Sequence, residues 1–368
     1  MFMTRISFNR SVNIYLLMLG MAATFFISCE EDEHRPMVGE WEVAVTFSQD
    51  LREHRSLVLT DGTILMTGGA ERLNHVFLFD PVSRRLESRA PMQLGRESHA
   101  IVPLPDGKIM VMGGFPERSA GHITATTEIY DPVSDSWRYG TPMTMPRAAF
   151  TATVLTDGSI VVTGGFSGEH SSTETCERYF PAQDRWERIA DLERPRHGHK
   201  AISLNNDRIF VISGSNRFYN GEIYLSTEDR WIPTSSPEFA FRPLGTSAVK
   251  LSEDEILVTL RDSVQIYYPA SDRWQTVTPM VETRESTEFV VLPDGWFLAV
   301  GGQGPVDLLS SFYQVPDEVL TCEFFNPKEQ RWTNGPVLNR PKFSHSLHRL
   351  GNRLIAIGGD EIEILELR

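Results

Sequence analysis

Three scarcities bound what this chain can be. Cysteine occurs only 3 times in 368 residues. No Cys/His spacing of the kind that holds zinc appears, so the sequence points to no metal and no cofactor. Positive charge is outnumbered: 35 Lys and Arg face 49 Asp and Glu, a formal net charge of −14. That argues against nucleic acid as a partner, because such binding needs a basic footprint. Long apolar runs are missing apart from residues 14–27, which fall short of the ~20 residues of a membrane-spanning helix.

What is abundant is repetition. Asp61-Gly62 is followed by Gly68-Gly69, Asp106-Gly107 by Gly113-Gly114, Asp157-Gly158 by Gly164-Gly165, and Asp294-Gly295 by Gly301-Gly302. Gly351-Asn352 with Gly358-Gly359 is a looser copy. The interval from Gly164 to Gly301 holds three units of about 46 residues, a propeller-blade period. Two degenerate units fill it, through Asn206-Asp207 with Ser213-Gly214 and Glu253-Asp254 with Leu260-Arg261. The second half of each unit is as regular. Phe79, Tyr130, Tyr179, Tyr224, Tyr267 and Phe325 share one slot, and seven residues on stand Leu86, Trp137, Trp186, Trp231, Trp274 and Trp332. Seven units result.

Each unit reads as four short strands. Ala100-Ile101-Val102 is an inner strand, and Asp-Gly is a tight hairpin turn expected to need positive φ at both central residues. Residues 108–112 form the second strand, stopped by a glycine pair that permits close backbone approach. Glu128-Ile129-Tyr130 is the third, and the Pro132 turn leads to a fourth at Trp137. Wedges of this kind need neighbours on both sides, and radial closure removes their edges.

These residues resemble the kelch repeat family, whose hallmarks are an apolar run ending in Gly-Gly, then an aromatic and a Trp as in Tyr130 and Trp137. The resemblance covers residues 38–367 and implies an all-β, seven-bladed kelch-type β-propeller with four-stranded blades, spanning 38–368. The last unit ends after its third strand, near 362–367, while Gly39-Glu40-Trp41-Glu42-Val43 precedes the first unit. The N-terminal segment is therefore expected to close the ring as the outer strand of the last blade.

Residues 1–28 read as a signal peptide, with Arg5 and Arg10 before the apolar stretch. Its end, Phe26-Ile27-Ser28-Cys29, resembles a bacterial lipobox, although Phe26 stands where Leu is usual. The resemblance implies lipidation of Cys29 and a lipid anchor as the chain's contact with membrane. The alternative is an ordinary secretory signal with an incidental cysteine. Residues 29–37 form an acidic linker, since Glu30, Glu31, Asp32 and Glu33 repel and extend. The same run resembles the export signal of Bacteroidota surface lipoproteins. The expected place is the bacterial cell envelope, at the outer membrane, periplasmic or surface-exposed.

Candidate site residues gather on one face, which carries the loops before each inner strand and those after each Gly-Gly. Arg96, Arg147, Arg196, Arg284 and Lys342 stand three residues before the inner-strand slot, with Arg52 and Arg242 displaced by one. The slot holds His54, His99, Phe150, His199, Thr246, Thr287 and His345. Such a ring would attract anions. Alternatively each arginine bonds local carbonyls and carboxylates, for which Glu128, Glu177, Glu222 and Glu323 recur on the third strand. His197 and His199 are the densest imidazole pair. Long loops at 303–320, with Phe312 and Tyr313, at 115–127, with Arg118 and His122, and at 216–219 share the face. The opposite mouth is expected to carry only tight turns.

The leading reading is non-catalytic binding of an envelope protein or glycan at Arg96, Arg147, Arg196, His199, Arg284, Phe312 and Tyr313. The alternative is a sugar-modifying enzyme resembling secreted kelch sialate mutarotases. A copper radical oxidase resembling galactose oxidase would need a Tyr–Cys cross-link and His ligands, whereas Cys176 and Cys322 sit at regular strand positions on blades too far apart for a disulfide.

Overall fold

The computed structural model describes residues 38–367 apart from 49, 71–73, 117–121, 169–170, 215–219, 239–244, 262 and 305–318. It also describes Pro36, Arg368 and the backbone of three N-terminal strands. Two units separate, residues 1–37 with Arg368, and residues 38–367. In the first, Thr4–Phe8, Val12–Leu19 and Ala22–Cys29 pair in sequence as antiparallel strands.

The second unit is seven four-stranded antiparallel sheets. Blade 1 starts at Arg55–Val58, blade 2 at Ala100–Pro103, blade 3 at Thr151–Val154 and blade 4 at Lys200–Leu204. Blades 5, 6 and 7 start at Ser247–Ser252, Glu288–Val291 and Ser346–Leu350. Each inner strand neighbours the inner strands of the two adjacent blades, and the last neighbours the first, so the ring closes. Closure follows the expected route: Val38–Thr46 pairs with Glu361–Leu367 as the outer strand of blade 7, with Trp41 opposite Leu365.

Alternation along the second strands explains why they are apolar at nearly every position. Leu65, Ile109 and Val111 pack in the seam between blades 1 and 2, whereas Met110, Met112, Ile160 and Val162 pack between blades 2 and 3. Both faces of each sheet are buried, so period-2 alternation feeds two cores rather than one core and solvent. Seven such cores result, one per seam.

The blades are also stitched through hydrogen bonds. The Trp137 indole N–H donates to Ala90 O at 2.7 Å, and Asp135 Oδ1 accepts from Ala90 N at 3.0 Å and from the Tyr130 hydroxyl at 2.8 Å. The same grip joins Trp186, Asp184 and Tyr179 to Thr141, and Trp231, Asp229 and Tyr224 to Ala190. Asp135, Asp184, Asp229 and Asp272 hold φ of 45–48°, a left-handed turn that Asp tolerates through local hydrogen bonds.

The Asp-Gly hairpins differ from expectation. Only the glycines have positive φ, 80–85° at Gly62, Gly107, Gly158 and Gly295, while the aspartates do not. Gly62 N–H bonds Leu59 O at 3.0 Å and Leu59 N–H bonds Thr63 O at 2.8 Å, a type I turn closed by a glycine bulge. The carboxylate of Asp61 accepts the Thr63 N–H at 2.9 Å, so aspartate is there for its oxygen rather than its φ. The degenerate unit instead has positive φ at both Asn206 and Asp207.

Candidate functional site

The four candidate arginines are not at the surface. Arg96, Arg147 and Arg284 are fully buried and Arg196 nearly so. Each guanidinium meets a third-strand glutamate of its own blade at 2.7 Å: Glu128, Glu177, Glu222 and Glu323 respectively. The other Nη donates to the carbonyl closing the second strand, as in Arg147 to Gly164 O at 2.6 Å and to Thr175 O at 2.9 Å. Lys342 repeats the motif with Glu363 at 3.0 Å. Each glutamate then clamps the linker entering its blade, Glu128 accepting from Gln93 N and Leu94 N at 2.6 and 3.0 Å. A buried charge must be paired and hydrogen-bonded, and these are. The expectation that Arg96, Arg147, Arg196 and Arg284 touch a ligand is corrected accordingly: they brace the linkers from inside the blades.

The same turns receive the glycine doublets. Gly114 N–H donates to Arg147 O, Gly165 N–H to Arg196 O and Gly302 N–H to Lys342 O, at 2.7–2.9 Å. A Cβ on Gly113 would stand 2.4 Å from Arg147 O. Glycine is required there by contact with the next blade.

The histidine slot is equally internal. His99 Nε2 lies 2.8 Å from Thr67 Oγ1, and His199 Nε2 lies 3.0 Å from both Thr151 and Thr163. Burial pushes the pKa of His99 and His199 well below the ordinary value. His199 is therefore a seam residue rather than a mouth residue. Its neighbour His197 is half-buried, with Nδ1 2.8 Å from Ser172 Oγ.

What the face does display is an aromatic arc and a sparse ring of charge. Phe115 and Phe166 each follow a glycine doublet, with ring centroids 6.0 Å apart, and the His197 ring stands edge-on to Phe166 at 5.3 Å. Bridges Glu97–Phe115 and Ala148–Phe166 fix both phenylalanines against the linkers. The signal for Phe166 was its slot, identical to that of Phe115 one unit earlier. At the start of the inner strands stand Arg55, Lys200 and Glu288, one residue past the histidine slot. Arg55 donates to His54 O and His99 O, and Lys200 meets Glu288 at 3.4 Å. Phe312, Tyr313, Arg118 and residues 216–219 lie outside the described residues.

Clefts also mark both faces among the described residues. One of about 370 Å³, on the loop face, is lined by Asp50, Arg52, Arg340 and Phe343, with the Arg52 guanidinium over the Phe343 ring at 5.0 Å. Another, about 570 Å³, lies among the turns of blades 2 and 3, lined by Pro105, Asp106, Ile129, Asp157, Tyr179 and Phe180. The turn face is thus less bare than expected.

Residues 102–144 and 147–193, covering blades 2 and 3, match the kelch motif. The chain is a seven-bladed propeller with kelch repeats. It is 36% identical over 87 residues, 24% of its length, to the Influenza virus NS1A-binding protein homolog of Mus musculus. It is 28% identical over 143 residues, 36% of its length, to beta-scruin of Limulus polyphemus. These stretches span only 13% and 15% of those two proteins. Among solved structures, a fungal alcohol oxidase of the AA5 family in complex with copper matches with a TM-score of 0.69 at 16% identity, over 90% of this propeller chain and 76% of the oxidase. That likeness is one of fold. The described residues do not fit copper: no three His, Cys, Asp or Glu converge among them. Cys176 and Cys322 are buried free thiols, pushed up to about 12 by burial.

Proposed function

We propose that this kelch-repeat propeller is a non-catalytic protein-binding scaffold of the bacterial cell envelope, tethered through a lipid on Cys29. The observation that carries the binding reading is the arc of Phe115, Phe166 and His197 on the loop face, a tilted and then a T-shaped ring contact, with both phenylalanines held by linker bridges. Rigid aromatic side chains on a fixed scaffold supply contact area at low entropic cost, the usual chemistry of interface anchors. The partial relative from Mus musculus carries a binding activity in its name, which agrees with a protein partner. A glycan is the second ligand class for the same arc, since sugar rings offer apolar faces to aromatic ones. The anchor rests on the sequence Phe26-Ile27-Ser28-Cys29 behind its apolar stretch.

Binding is tested by Phe115→Ala with Phe166→Ala. Affinity for a partner recovered by cross-linking on intact cells should fall by about 1 kcal/mol or more, with the melting profile retained. Unchanged affinity would place recognition elsewhere, the turn-face cleft being the next surface. Anchoring is tested separately: Cys29→Ser should move the protein from the membrane to the soluble fraction, and continued membrane retention would remove the lipoprotein reading.

A further inference from the structure

Lys200 and Glu288 open the inner strands of blades 4 and 6, so their 3.4 Å pair reaches across the inner strand of blade 5. Their side chains are 37% and 39% exposed, which makes this a solvated, exchangeable contact rather than a buried brace. Beside it sits His345, buried, with neither ring nitrogen hydrogen-bonded among the described residues. The Val300 carbonyl favours its protonated form, against the larger opposing effect of burial.

The repeat shows what this imidazole faces. In blade 3, Thr151 and Thr163 are cross-strand partners, and both reach Nε2 of His199 from blade 4. In blade 6 the corresponding partners are Glu288 and Val300, and the corresponding histidine from blade 7 is His345. Where the earlier seam offers two hydroxyls, this one offers a valine and a carboxylate that has turned to Lys200. Glu288 is within electrostatic reach of both His345 and His348. The buried Ser247 hydroxyl, on the strand between the pair, also has no partner among the described residues.

We propose that this end of the central channel enclosed by the ring of inner strands is a binding site for a small carboxylate or similar monoanion. Lys200 is the receiver, Glu288 the counter-ion it displaces, and His345 the seat to which Glu288 moves. The anion takes the ammonium, and the freed carboxylate accepts a hydrogen bond from the imidazole N–H. The displaced charge is thus neither left facing the ligand nor left without a donor. The net affinity is the ligand's gain at Lys200 less the cost of moving Glu288 from its first seat to its second, so a better second seat favours the exchange. The site does not depend on a partner docking on the aromatic arc.

Acetate and inorganic phosphate titrated into the full chain, followed by NMR of Lys200 and the His345 ring, test this. Acetate should shift both resonances together and saturably. Lys200→Met should abolish the shift at His345. Glu288→Gln should tighten acetate binding by about threefold or more, by removing the competing charge. His345→Phe should weaken it by about threefold or more, and this variant has a precedent in the fold: Phe150 fills the same slot against apolar Met112. An unsaturable acetate response, or the wild-type affinity in both Glu288→Gln and His345→Phe, overturns the proposal. Saturation by phosphate alone overturns the monoanion class.

Discussion

Buried charge is the most informative residue-scale feature, because the repeat uses one arginine–glutamate pair as a joint within each of four blades. In blade 5 the glutamate position is Gln265, whose Oε1 still accepts the Glu238 N–H at 3.0 Å, so the clamp on the linker outlives the charge. Removing one member elsewhere is a different matter, since it leaves the other ionised and buried. Arg147→Met should destabilise the chain by about 3–5 kcal/mol, measured by urea unfolding. A loss under about 1 kcal/mol, the range of exposed pairs, would mean that water reaches Glu177. Both halves of this joint were legible in the sequence, as recurring Arg and Glu. Which way the guanidinium points was not, because that depends on carbonyls such as Gly164 O and Thr175 O, brought to it only by the folded backbone. The Phe150–Met112 and His199–Thr163 matches were legible in principle. Each needed two slots in adjacent units to be read as one contact.

Among elements, the strand Val38–Thr46 has the largest consequence. It was readable because blade 7 lacks a fourth strand at its own C-terminal end, and an open sheet edge must be covered. Trp41 lies in the core of the seam between blades 6 and 7, with Leu338, Leu354 and Leu365, and its carbonyl accepts from Asn339 Nδ2 at 2.8 Å. Deleting residues 38–46 removes a ladder, a buried tryptophan and that linker contact. The truncated chain should lose several kcal/mol, against a typical domain stability of about 5–15, and should associate through the exposed edge. Cooperative melting at the parent temperature as a monomer would show that the six complete blades close without the latch. The hairpin turns show the opposite limit of legibility. Asp-Gly announced a turn correctly, yet the φ pattern followed a three-residue loop, because a type I turn with a glycine bulge and an aspartate oxygen satisfies the same dipeptide.

At the scale of the whole molecule, a ring with one histidine slot per blade concentrates buried imidazoles in its seams, and acid should find them. Burial lowers the pKa of His54 to about 3 and of His345 and His348 to about 4, and lowers those of His99 and His199 well below the ordinary value. In the unfolded chain each titrates near 6.5. Below that pH the unfolded state therefore binds protons that the native state refuses, and stability falls as pH drops. The loss continues until each folded-state pKa is reached, near 4 for His345 and His348, and then levels off. Inside that window each imidazole contributes a slope of roughly 1 kcal/mol per pH unit. Together the slopes weaken the fold steadily as pH falls through that window. The propeller should therefore unfold in acid with a midpoint between about pH 4 and 6. His345→Phe should move that midpoint down, and raise stability even at neutral pH by removing a buried group with no hydrogen-bond partner. Urea midpoints that stay flat from pH 7 to about 4.5 would mean that these seams open to protons without unfolding.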